Sequence, residues 1–72
     1  MQQKELKELR EKGHIVSVTA NDRGVHWNVL VQTIGESFIV IRTARGGQRE
    51  FKTLDAVKKM LKEVDIDNFK VA

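Results

Sequence analysis

The stretch VHWNVLVQT, residues 25–33, decides how the chain folds. Its side chains alternate. Val25, Trp27, Val29 and Val31 fall on one side of an extended backbone; His26, Asn28, Leu30 and Gln32 fall on the other. A helix would scatter both sets around its axis, whereas a strand separates them into an apolar and a mainly polar face. The stretch is therefore expected to be a strand over 25–33 that rests one face on a core.

Working outward, HIVSVTAND is rich in β-branched residues and reads as a strand over about 14–21. Asn21-Asp22-Arg23-Gly24 supplies turn chemistry between the two strands. On the other side, Ile34-Gly35-Glu36 turns the chain into SFIVIRTA, an apolar strand over about 37–44. Gly46-Gly47 makes a further tight turn, and QREFK returns from it as a short strand over 48–52.

Helices flank this sheet. Thr53 is placed to cap a helix over 54–64, with Asp55 near the positive end of its dipole. Leu54, Val57, Leu61 and Val64 form its apolar stripe, widened by Ala56 and Met60. Residues 2–12 are good helix formers, with Glu8 and Lys12 as a favourable pair and Gly13 as the stop. Only Leu6 and Leu9 give that helix an apolar side, so it is expected to solubilise and to dock weakly. In the tail DIDNFKVA, Phe69 and Val71 alternate and suit an edge strand or a packing segment. The expected fold is α+β: an antiparallel sheet of three to four strands, a C-terminal helix packed on one face, and an N-terminal helix. The expected core is Val16, Val18, Trp27, Val29, Val31, Ile39, Ile41, Phe51, Leu54, Val57, Leu61 and Val64.

At 72 residues the chain makes one small domain, and such a chain buries only about 60% of its unfolded surface. It lacks cysteine, which removes disulfides and thiolate metal sites from consideration. His14 and His26 stand apart without a carboxylate cluster beside them in sequence, so no metal and no cofactor is expected. No nucleophile elbow, paired carboxylates or phosphate-binding Walker loop is present, and an enzyme is not expected. No apolar run approaches a membrane span, and MQQKELKELREKG has no signal-peptide core; the cytoplasm is the expected location.

The net charge of +3 is mild, but its placement is not even. Residues before Arg42 balance to zero, and so do those from Thr53 onward. The whole excess comes from Arg42, Arg45, Arg49 and Lys52 against Glu50, around the Gly-Gly turn. Such a concentration makes a local field that the net value conceals.

On the side of the sheet away from the helix, alternation places Ser17, Thr19, Asn21, His26, Asn28 and Gln32. Neutral hydrogen-bonding side chains of these types contact base edges, and Asn or Gln pairs bidentately with adenine. A β-ribbon fits the major groove, and cations at its edge hold phosphates and set the register. Arg42, Arg45, Arg49 and Lys52, with Arg23 on another turn, are the candidate phosphate contacts; Asn28, Gln32 and Thr19 are the candidate base readers. Leu30, Phe38 and Val40 point the same way and form a candidate interface for a partner or a second copy.

GVHWNVLV followed by GGQREFKTLDAVKKM is similar in pattern to three-stranded-sheet DNA-binding domains. These are the arm-binding domains of tyrosine integrases and the plant ethylene-response-factor domain. A tryptophan-bearing strand, a basic G-x-x-x-x-F-x-T turn and an alanine early in the helix recur in them. The matching positions are Trp27, Gly46, Phe51, Thr53 and Ala56, and the match covers about half the chain. The strand SFIVIRTA lengthens the interval between Trp27 and Phe51 relative to that pattern. The resemblance implies a sheet placed in the major groove, with Arg42, Arg45 and Arg49 in contact. The helix–sheet–helix order also looks like a double-stranded-RNA-binding domain, but that family's basic cluster at the helix start is absent. Two functions follow as expectations: a small protein binding nucleic acid, duplex DNA above all, through a sheet face and a basic hairpin; or a protein-interaction or homodimerisation module using Leu30, Phe38 and Val40.

Overall fold

The computed structural model describes residues 1–35 and 37–72. The elements run α1 (Gln3–Glu11), β1 (Ile15–Asp22), β2 (Trp27–Thr33), β3 (Phe38–Val40), α2 (Leu54–Glu63) and β4 (Lys70–Val71). Glu36 of the Ile34–Gly35–Glu36 turn lies outside the described residues. The four strands form one sheet in the order β3-β2-β1-β4, and both helices share one layer on it. Among the described residues no helix is long and apolar enough to cross a membrane.

From Trp27 onward β2 follows its alternation, but the strand expected from residue 25 starts two residues later, and Val25, expected on the core side, is 89% exposed ahead of it. Val29 and Val31 are fully buried and oppose Ala20 and Val18 of β1, which are buried with them. Leu6 of α1 and Val57, Met60 and Leu61 of α2 complete this layer. Each of the valine, leucine and methionine side chains contributes roughly 1.5–3 kcal/mol by leaving water.

α1 docks through a narrow contact, in keeping with its thin apolar side: Leu6 is fully buried, and Arg10 Nε donates to the Asp65 carbonyl at 3.2 Å. Both helices end in the same hydrogen-bonded C-terminal motif. His14 N–H bonds the Leu9 carbonyl and Gly13 N–H that of Arg10; in α2, Ile66 bonds Leu61 and Asp65 bonds Lys62. The left-handed position falls on Gly13 in the first and on Asp65, at φ 61°, in the second. Thr53 caps α2 as expected, its Oγ1 accepting from Ala56 N–H at 3.1 Å.

Three expectations are corrected. First, the sheet is mixed rather than antiparallel, because β4 pairs with β1 in parallel through Thr19↔Lys70 and Ala20↔Val71. The end of α2 brings the chain to the start of β1, where Asp65–Asn68 and Ile15–Val18 wall one groove. A tail leaving from there must run in β1's own direction.

Second, Val16 is not in the core; it is 60% exposed. A register shift between Ile15 and Ser17 inserts one extra residue, so Ile15 packs on the core in its place. Asp65-side packing gains Ile66, and Ala20, Met60 and Leu6 also join the core. Trp27, Leu54 and Ile39 are only partly buried.

Third, the strand expected over 37–44 ends at Val40, and residues 48–52 form no continuous strand. Ile41 N–H still reaches Val29, but Arg42 N–H turns away to the Met1 carbonyl. The returning segment touches the sheet at one bridge, Trp27↔Phe51, and closes the hairpin at another, Arg42↔Gln48.

Candidate nucleic-acid interface

The sheet face opposite the helices is read directly from the register. One row across it runs Val40, Leu30, Thr19, Lys70, and the next runs Phe38, Gln32, Ser17. The face thus grades from an apolar corner at β3, through hydroxyl and amide groups, to a cation at β4. Lys70 is a member that sequence reasoning missed. It lies 51 positions from Thr19 in sequence, and only the parallel pairing of the tail brings the two together.

The polar members differ in availability. Thr19 and Gln32 are half-buried in mid-face. Gln32 Oε1 accepts from the Ser17 hydroxyl at 3.1 Å, which orients its amide and leaves the NH₂ group as a donor. Asn28 is different. It is only 5% exposed, so its edge is not presented to a groove, and its assignment as a base reader is corrected. It sits opposite Asn21 and next to the Trp27–Phe51 bridge, where the returning segment closes on β2. Its Oδ1 is buried with no donor among the described residues. An unmet buried carbonyl costs about 1–3 kcal/mol.

The basic hairpin is built from a tight turn. Gly46 N–H bonds the Thr43 carbonyl at 3.0 Å and Thr43 N–H bonds the Gly47 carbonyl at 2.8 Å. Gly46 sits at φ 93°, a conformation that a side chain would strain. This places Arg45 at the apex, exposed and without a hydrogen-bond or ion-pair partner among the described residues; the same holds for Lys52. Arg42 Nη1 donates to the Gly46 carbonyl at 3.0 Å, so this guanidinium braces the turn while remaining exposed.

Arg49 departs from the group. It is half-buried, its guanidinium lies 4.8 Å from the Phe51 ring centroid, and its Nη1 donates to Gln3 Oε1 at 2.8 Å. Gln3 in turn donates to Glu63 at 2.8 Å. Arg49 therefore ties the hairpin to both helices and faces the helical layer, not the open sheet face. Arg23 is exposed in the β1–β2 turn, whose Asp22 carboxylate accepts from Gly24 N–H at 2.8 Å. His26, which has no acidic neighbour in the sequence, lies 4.0 Å from Glu50 in space, too far for a hydrogen bond.

Of the interface candidates, Phe38 is 67% exposed on the outermost strand, while Leu30 and Val40 are half-buried beside it. Among the described residues no three His, Asp or Glu side chains gather where one metal ion would bind. No family model, curated protein or solved structure matches the chain.

Proposed function

We propose that the protein binds nucleic acid, duplex DNA in preference, through the open sheet face and the basic hairpin beside it. One observation carries the reading. The chain's entire net charge sits on residues 42–52, and two exposed cations there, Arg45 and Lys52, have no acidic partner among the described residues. A merely solvated turn gains nothing from unpaired like charges, which repel one another; a polyanion relieves that repulsion. In this reading Arg42, Arg45 and Lys52 hold phosphates and Arg23 and Lys70 extend the field, while Thr19 and Gln32 meet base edges.

Trp27 and Phe51 are bridge partners, and Thr53 caps the helix at Ala56. Affinity for a generic duplex, measured over a salt series, tests the reading. Binding should weaken linearly on a log–log plot as salt rises. Gln32→Ala or Thr19→Ala should reduce discrimination between sites by about 1–3 kcal/mol with little change of slope. An affinity independent of salt would remove the proposal.

A second reading is favoured by Phe38. A large aromatic that is 67% exposed on an edge strand, next to Leu30 and Val40, suits a protein partner or a second copy of this chain. Sedimentation at several concentrations separates the two: loss of self-association in Phe38→Ser, with nucleic-acid affinity absent throughout, would put this reading first.

A further inference from the structure

Between the start of α1 and the root of the hairpin lies an open cleft of about 330 Å³. Lys4, Arg42 and Arg49 line it together with Gln2, Gln3 and Thr43, and none of the described residues lining it is acidic. Lys4 comes from the charge-balanced N-terminal part of the sequence, so nothing in the linear charge pattern associates it with the hairpin.

The two guanidinium groups are held by neutral acceptors. Arg42 donates to the Gly46 carbonyl and Arg49 to the Gln3 side-chain carbonyl. Such bonds fix a cation without cancelling its charge, and each uses one of the five N–H donors an arginine has. Glu63, the carboxylate in this network, binds the far end of the Gln3 amide and does not line the cleft. Three cationic residues thus line one concavity, and hydrogen bonds orient the guanidinium groups of two of them. Guanidinium forks match the oxygens of a phosphoryl group, and fixing them beforehand lowers the entropy lost on binding.

We propose that this cleft is a phosphate-binding site that receives a phosphoryl group of a nucleic-acid strand, either within the strand or at its end. The source of the phosphate rests on the nucleic-acid reading above; the chemistry of the cleft does not. The site gives Arg49 and Lys4 a role that the sheet face does not, and it implies that the bound strand passes beyond the β3 edge toward α1.

The test is titration of the full, isotope-labelled chain with inorganic phosphate, against chloride at matched ionic strength. Saturable shifts of the Lys4, Thr43 and Ala44 amides are expected with phosphate alone. They should fall to the chloride level in Lys4→Gln with Arg42→Gln, and should weaken in Lys4→Gln alone, which touches no hairpin contact. Lys58→Gln, exposed on α2 and not among the residues lining the cleft, should leave them unchanged. Phosphate shifts no larger than those of chloride, or shifts indifferent to the Lys4 and Arg42 changes, would overturn the site. Tighter binding of a 5′-phosphorylated duplex than of an unphosphorylated one identifies a terminal phosphate; equal binding, with a salt slope lower by about two in the double variant, identifies internal ones. A chain that binds phosphate in the cleft but no duplex would keep the site and defeat the nucleic-acid reading. Duplex binding without phosphate binding would do the reverse.

Discussion

The two faces of β2 are under different demands. Val29 and Val31 point into the helical layer and are fully buried, whereas Leu30 and Gln32, one residue along, stay half-exposed on the other side. The covered face is apolar because every methyl there displaces water. The open face has no such constraint, yet it mixes Thr19, Ser17 and Gln32 with an exposed Phe38 and places exposed cations at its border. Stability alone does not ask for that composition. The same strand thus serves the fold on one side and leaves the other free for a partner.

Substitutions should separate the faces by size of effect. Leu61→Ala and Leu6→Ala should each cost about 2–5 kcal/mol in chemical denaturation, since both side chains are fully buried. Leu6 is the sharper case, because a loosely attached α1 would make it no worse than a surface change. Next comes the bulge in β1. Val18→Ala should cost clearly more than the roughly 0.5 kcal/mol of a surface change, and Val16→Ala should stay within it. Equal losses would mean that the alternation of β1 runs unbroken. The smallest effect belongs to the open face. Phe38→Ser should alter stability by no more than about 0.5 kcal/mol, and a larger loss would show that this corner is part of the core.

Much of this architecture can be read from the sequence where a pattern is local. The alternation of residues 25–33 specifies β2 and its buried face, and the stripe from Leu54 to Val64 with Thr53 before it specifies α2 and its cap. The errors have non-local causes. The bulge at Val16 is set by how β1 meets β2, since nothing in IVSV announces an extra residue. The parallel pairing of β4 depends on where α2 releases the chain, so Lys70 joins Thr19 without any signal in the residues themselves. Asn28 carries the right side chain for reading bases, but the closing of Phe51 on Trp27 beside it is a tertiary event. Charge was legible as an amount and not as a direction: Arg42, Arg45 and Arg49 are alike in sequence, yet one braces the turn, one crowns it and one is drawn into the helical layer by Phe51 and Gln3. The sole hint for Arg49 was its place two residues before a buried aromatic, which puts both side chains on one side of an extended segment.

The central claim is that the unpaired cations of the hairpin hold the phosphates of a nucleic acid. Its most direct measurement is fluorescence anisotropy of a labelled duplex over a salt series, with the unaltered chain and with Arg45→Ala combined with Lys52→Ala. Both side chains are exposed and unpaired among the described residues, so the variant should keep its fold. The account predicts weaker binding to every sequence and a log–log salt slope lower by about two, one for each lost phosphate contact. An unchanged affinity and slope in that variant would contradict it and leave the hairpin as a turn.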